Sequence, residues 1–135
     1  MNGRLVLTLA IALTLPACGE SALATATRTA NAVKAAGMAA DVVLQTECVD
    51  AIKDLPASNP EEKARSRAAL AELQPLCDEL KRAYRIERLS HAALLAAIAA
   101  VGASTDPLLL TRRVIEAGQA AQRLGDAAAA VRDRR

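Results

Sequence analysis

The chain has 135 residues, with 17 Lys and Arg against 15 Asp and Glu, and its formal net charge is +2 at pH 7. A net charge so close to zero does not point to a polyanionic partner. The sequence has no Trp or Phe and a single Tyr, so it lacks the aromatic platforms on which single-stranded nucleic acids stack. Nucleic-acid binding is therefore not expected.

Alanine is the commonest residue and occupies 33 of the 135 positions. It is the best helix former, but its side chain buries little apolar area, and burial contributes about 25 cal/mol per Å². We therefore expect helices that form readily but stabilise one another weakly. Close helix approach, a covalent link or a partner must then add stability.

The first predicted element is an apolar run from Leu5 to Leu15, which follows the basic residue Arg4. A helix needs about 20 apolar residues to span a bilayer, so this run is too short to do so. A short apolar run between a basic residue and small residues is typical of a cleaved export signal. The run ends in LPAC, Leu15 to Cys18, which resembles the lipobox of bacterial lipoproteins.

This resemblance implies that residues 1–17 are a signal peptide, and that Cys18 is lipidated and becomes the first residue of the mature chain. Residues 18–135 would then face the periplasm, held on a membrane by several acyl chains, which together give stable anchoring. In enterobacterial lipoproteins an aspartate after the cysteine favours the inner membrane, so Gly19 favours the outer membrane. The alternatives are an ordinary signal peptide cleaved nearby and an uncleaved anchor.

Two breaks divide the mature chain into helical segments. They read LPASNPEE (55–62) and GASTDP (102–107), and each places an N-cap residue, Asn59 or Asp106, before a proline at the first helical position. Apolar residues at spacings of three and four predict one buried face in each segment. These stripes run from Leu23 to Cys48, from Cys77 to Val101 and from Leu110 to Ala128. Three threonines weaken the start of the first helix, so residues 19–28 are alternatively a short tether.

Cys48 and Cys77 are an even pair in an exported chain, which predicts a disulfide; two reduced, buried cysteines are the alternative. A tight hairpin centred near residue 57 would leave the two cysteines about 15 Å apart along the helices. We therefore predict that residues 60–73 form a short connecting helix, that Pro75 breaks the chain, and that a new long helix begins near this proline. The result is an all-α, antiparallel three-helix bundle with long segments 23–48, 77–102 and 107–132.

Sequence motifs for chemistry are absent: there is no glycine-rich phosphate loop, no HExxH and no GxSxG. The single histidine, His91, excludes a multi-histidine metal site within one chain. Glu87 lies one helical turn from His91. Pairing Cys48 with Cys77 aligns the first two long helices so that Asp41 approaches Tyr84. These four residues form a candidate polar cluster inside the bundle, although such residues are more often satisfied at a helix seam or solvated. We expect no catalysis, no metal and no cofactor.

The uncharged segment AALLAAIAAVGA (92–103) is too short to span a membrane. We predict that it is the central buried helix; the alternative is a surface for self-association or lipid contact.

The expected function is that of a structural lipoprotein of the cell envelope, which binds another envelope protein or itself. Alternatives are a lipoprotein of a phage or mobile element that excludes other elements or assists lysis, and a small lipid or ligand carrier. The carrier is least expected, because tightly spaced helices leave little cavity.

Overall fold

The computed structural model describes residues 21–50, 59–101 and 106–134, which form three helices packed side by side. Helix α1 spans Ala22–Val43 and continues as a π-helical segment, Leu44–Val49. Helix α2 spans Pro60–Ala99 and helix α3 spans Pro107–Arg132. Each helix contacts the other two, and the described ranges contain no strand. The predicted all-α three-helix bundle is confirmed.

Polar caps begin all three helices. The amide of Glu61 donates to Asn59 Oδ1 at 3.0 Å, and the amide of Leu108 donates to Asp106 Oδ1 at 2.9 Å. Both caps lie where the proline-containing breaks predict them. In α1 the amide of Ala24 donates to Ser21 Oγ at 3.2 Å. These bonds satisfy amides that have no partner within the first turn of a helix.

Helix α1 begins earlier than the tether alternative allows. Residues 22–28 are helical although threonines occupy three positions near this end. The hydroxyls of Thr27 and Thr29 each donate to the carbonyl one turn back at 2.9 Å, while Thr25 and Thr29 are buried. Burial against the other helices thus offsets the weak helix propensity of threonine. Residues 19 and 20 lie outside the described ranges.

The predicted break at Pro75 is wrong. Helix α2 continues through this proline for 40 residues, so there is no separate connecting helix between the first two long helices. Pro75 lacks an amide hydrogen and leaves the carbonyl of Ala71 without its helical donor. Both residues are exposed, so water can bond to that carbonyl. An exposed proline is therefore tolerated here.

Cys48 and Cys77 still lie opposite each other although α2 is unbroken, because α2 extends beyond the end of α1. Pro60 lies about 25 Å from Cys77 along the helix axis at the usual rise per residue. The chain between Asp50 and Asn59 can reach roughly 30 Å, which is enough to cover that distance without a second break. From Asn59 to Leu76 every residue of α2 is exposed or half-buried. The prediction failed because it assumed a tight connection.

The bundle core consists of two apolar clusters. The first surrounds the two cysteines and includes Leu80, Leu124 and Val131, while the second includes Val33, Leu94 and Val114. The two clusters lie at opposite ends of the bundle. Between them lies a layer that contains Gly37 of α1 and Glu87 of α2, both buried. This polar layer positions the candidate site.

Candidate functional site

Cys48 and Cys77 form the covalent link between α1 and α2. Their Sγ atoms are 2.08 Å apart and their Cα atoms are 5.8 Å apart, as a disulfide requires. Both residues are buried in the first core cluster. The predicted pairing is confirmed at this distance. The predicted lipidation site Cys18 and the predicted signal peptide, residues 1–17, lie outside the described residues.

The π-helical segment, which contains Cys48, was not predicted. The amide of Asp50 donates to the carbonyl of Gln45, one residue further back than in an α-helix. The hydroxyl of Thr46 donates to the carbonyl of Val42 at 2.9 Å. Such side-chain bonds compete with the regular helical ladder and bend helices. The sequence gives no periodic signal for this feature.

A groove of about 620 Å³ runs between α1 and α2. All four residues of the predicted polar cluster line it: Asp41, Tyr84, Glu87 and His91. The cysteine register therefore brought together the expected residues. Sequence reasoning missed other lining residues, among them Lys34, Met38, Arg88 and Leu95. A groove of this size was also not expected from an alanine-rich bundle.

Glu87 differs from its neighbours in the groove. Its side chain is 1% exposed, and its Oε2 atom has no hydrogen-bond partner. By contrast, Asp41 is exposed, and Tyr84 and His91 are half-buried. The expectation that these residues are satisfied or solvated therefore fails for Glu87. A buried polar group without a partner costs about 1–3 kcal/mol, and more if the group is charged.

Gly37 makes room for this carboxylate. A Cβ atom at position 37 would lie 3.1 Å from Glu87 Oε2 and 3.2 Å from Oε1, closer than ordinary van der Waals contact. Glycine in a helix interior is unfavourable by roughly 1 kcal/mol relative to alanine. This layer thus combines two locally unfavourable choices, a helical glycine and a buried carboxylate with one unpartnered oxygen, and such combinations are expected at functional sites.

Burial raises the pKa of the Glu87 carboxyl above its ordinary value. Withdrawal from water disfavours the charged form, and the positive charge of Arg88 opposes this effect only in part. Arg88 itself is exposed, as is Lys34 on the opposite wall. The groove therefore has a buried acid at its floor and basic groups in solvent at its rim.

The uncharged end of α2 is not a central buried helix, contrary to the prediction. Within residues 92–101 only Leu94 and Ala97 are buried, and Leu95 is 46% exposed. Alanines at four other positions of this segment are also exposed. Each helix of the bundle packs through one stripe, so a three-helix arrangement leaves the opposite face of α2 in solvent.

Within the described ranges, no cluster of three or more His, Cys, Asp or Glu could hold a metal ion. Among the helices described, none combines the length and apolar character needed to cross a bilayer. Comparison with protein-family models, with curated proteins and with solved structures finds no match.

Proposed function

We propose that this protein is a non-catalytic lipoprotein of the bacterial cell envelope, anchored through Cys18, whose helical bundle contacts another envelope protein or a second copy of itself. The observation that carries this proposal is the sequence LPAC at the end of the short apolar run. A lipidated cysteine would place the bundle at the periplasmic face of a membrane, the outer membrane by the identity of Gly19.

The disulfide supports export. Stable protein disulfides form in oxidising compartments and are rare in the bacterial cytosol. The disulfide between Cys48 and Cys77 joins two helices of a bundle whose core contains several alanines. Closing a loop of about 30 residues contributes roughly 3.5 kcal/mol in the chain-entropy model, which is a large share of the stability of a small domain.

One end of the bundle is suited to lie near a membrane. The start of α1, the end of α2 and the start of α3 meet there, and residues 89–105 contain no Asp, Glu, Lys or Arg. Leu23, Leu95 and Leu108 are exposed at this end. Residue 18 precedes α1 by only a few positions, so an acylated Cys18 would bring this apolar end close to lipid.

The proposal is tested by metabolic labelling with radioactive palmitate in the bacterium that makes the protein. Wild-type protein and a Cys48→Ala/Cys77→Ala variant should incorporate the label, because both retain the predicted acylation site. A Cys18→Ala variant should not. Equal labelling of the Cys18→Ala variant and the wild type would refute lipidation at this residue.

The groove between α1 and α2 favours a second candidate function, that of a small-ligand carrier. Its volume of about 620 Å³ lies within the range of roughly 300–1,000 Å³ that is common for ligand sites. Its lining combines apolar side chains such as Met38 and Leu95 with the buried carboxylate of Glu87. This role is compatible with membrane anchoring.

A further inference from the structure

We propose that the groove between α1 and α2 binds a small organic ammonium ion, whose N–H group donates a hydrogen bond to Glu87 Oε2. This proposal goes beyond the envelope role and stands whether or not Cys18 is lipidated. It specifies the ligand chemistry that the carrier function leaves open.

The need for a donor comes from Glu87. Its Oε2 atom is buried and has no hydrogen-bond partner. An ionised carboxylate accepts hydrogen bonds but cannot donate one, so the missing partner must be a donor. Lys34 and Arg88 line the groove and are exposed, and neither donates a hydrogen bond to Oε2. A buried carboxylate is best stabilised by a group that brings both a donor and a positive charge.

The position of the tyrosine supports a cation. Tyr84 is the only aromatic residue of the chain, and it lines the same groove as Glu87 and lies one turn from it along α2. Aromatic faces attract ammonium groups, and cation recognition commonly combines them with other contacts. Asp41, on the facing helix, adds a second carboxylate to the lining.

The remainder of the groove suits a short apolar tail. Met38 and Leu95 line it beside the polar layer, and they are 64% and 46% exposed. Gly37 leaves room for the Glu87 carboxylate at the floor of the groove, because a side chain at position 37 would press against that carboxylate. An alkylammonium ion can place its head at Glu87 and its carbon chain against these apolar side chains.

The test is an NMR titration of the ¹⁵N-labelled full-length, oxidised protein with butylammonium chloride at neutral pH. The amides of Gly37 and Glu87 should shift and saturate. 1-Butanol has the same carbon chain without the charge and should bind at least about tenfold more weakly, because it cannot form a charge-assisted hydrogen bond with Glu87. Sodium chloride at equal ionic strength should give no saturable shift.

Substitutions locate the site. Glu87→Gln should weaken butylammonium binding by roughly tenfold or more, whereas Glu79→Gln, which removes an exposed carboxylate, should not. Lys34→Ala should strengthen binding, because it removes a like charge from the rim. If Glu87→Gln disrupts the fold, as circular dichroism would reveal, Gly37→Ala serves instead. Its added methyl group displaces the carboxylate but favours the helix, and it should also weaken binding.

Three results would overturn the proposal: equal affinity for butanol and butylammonium, equal affinity in the Glu87→Gln and Glu79→Gln variants, or no saturable shift up to roughly 10 mM ligand. The first would identify an apolar groove without cation recognition. The second would place the ammonium ion elsewhere on the surface.

Discussion

At the scale of single residues, Glu87 determines how the middle of the bundle responds to pH. Its carboxyl is buried between two apolar clusters and has a raised pKa. The native state therefore binds more protons than the unfolded state at pH values between the ordinary and the raised pKa. The stability that Glu87 contributes is fully present below its unfolded pKa and is lost as the pH rises through its folded pKa.

We expect the Glu87→Gln variant not to lose this stability as the pH rises, because glutamine does not ionise. At pH 7 its free energy of unfolding should exceed that of the wild type by about 1 kcal/mol or more, the scale of a buried group without a partner. At pH 4 the difference between the two proteins should shrink. Urea unfolding of both proteins at the two pH values measures this. Asp41, Lys34, Arg88, His91 and Tyr84 line the same groove and are common to both proteins, so a difference that does not change with pH would contradict the assignment to Glu87.

At the scale of elements, α2 is the helix whose length the sequence mispredicts. Its cap at Asn59 and the start of α3 at Asp106 were predictable, because N-cap signals are local in sequence. The continuation through Pro75 was not, since the cost of a helical proline depends on whether the orphaned carbonyl reaches water. The register between Cys48 and Cys77 fixed which residues face each other but left open how far α2 extends.

The same limit applies to the candidate site. Spacing and register predicted that Asp41, Tyr84, Glu87 and His91 lie together, and all four line the groove between α1 and α2. The burial of Glu87 depends on Gly37 of the facing helix, and a single glycine in a helical pattern carries no signal for what it faces. The spacing of residues within one helix therefore predicts which side chains lie between the helices. How deeply such a side chain is buried depends on the residues of both helices.

The unbroken α2 makes a direct prediction for Pro75→Ala. The substitution restores an amide donor in the helix interior, so it should raise the free energy of unfolding of the oxidised protein by about 1–3 kcal/mol. Pro107→Ala is the matched control, because proline is favourable at the first position of a helix, and it should be neutral or slightly destabilising. Thermal and urea unfolding compare the two variants with the wild type. A clear loss of stability in Pro75→Ala would instead indicate that α2 requires a break at this position.

At the scale of the whole molecule, the disulfide compensates for a core in which many of the buried side chains are alanines. The double variant Cys48→Ala/Cys77→Ala should lose about 3.5 kcal/mol of unfolding free energy, the value expected for a closed loop of this length. Cys18→Ala is the control and should unfold like the wild type, because residue 18 precedes the capped start of α1. Equal urea midpoints for all three proteins would show that the disulfide adds no stability.

We propose that this disulfide-linked bundle is exported and held on a membrane through Cys18. Mass spectrometry of the protein extracted from the membrane fraction, digested without reduction, tests it most directly. We predict an N-terminal peptide that begins at Cys18 and carries acyl chains, together with a linked peptide pair that contains Cys48 and Cys77. A chain that retains Met1 through Ala17, with no acyl group on Cys18 and with free thiols at the other two cysteines, would contradict both export and lipid anchoring.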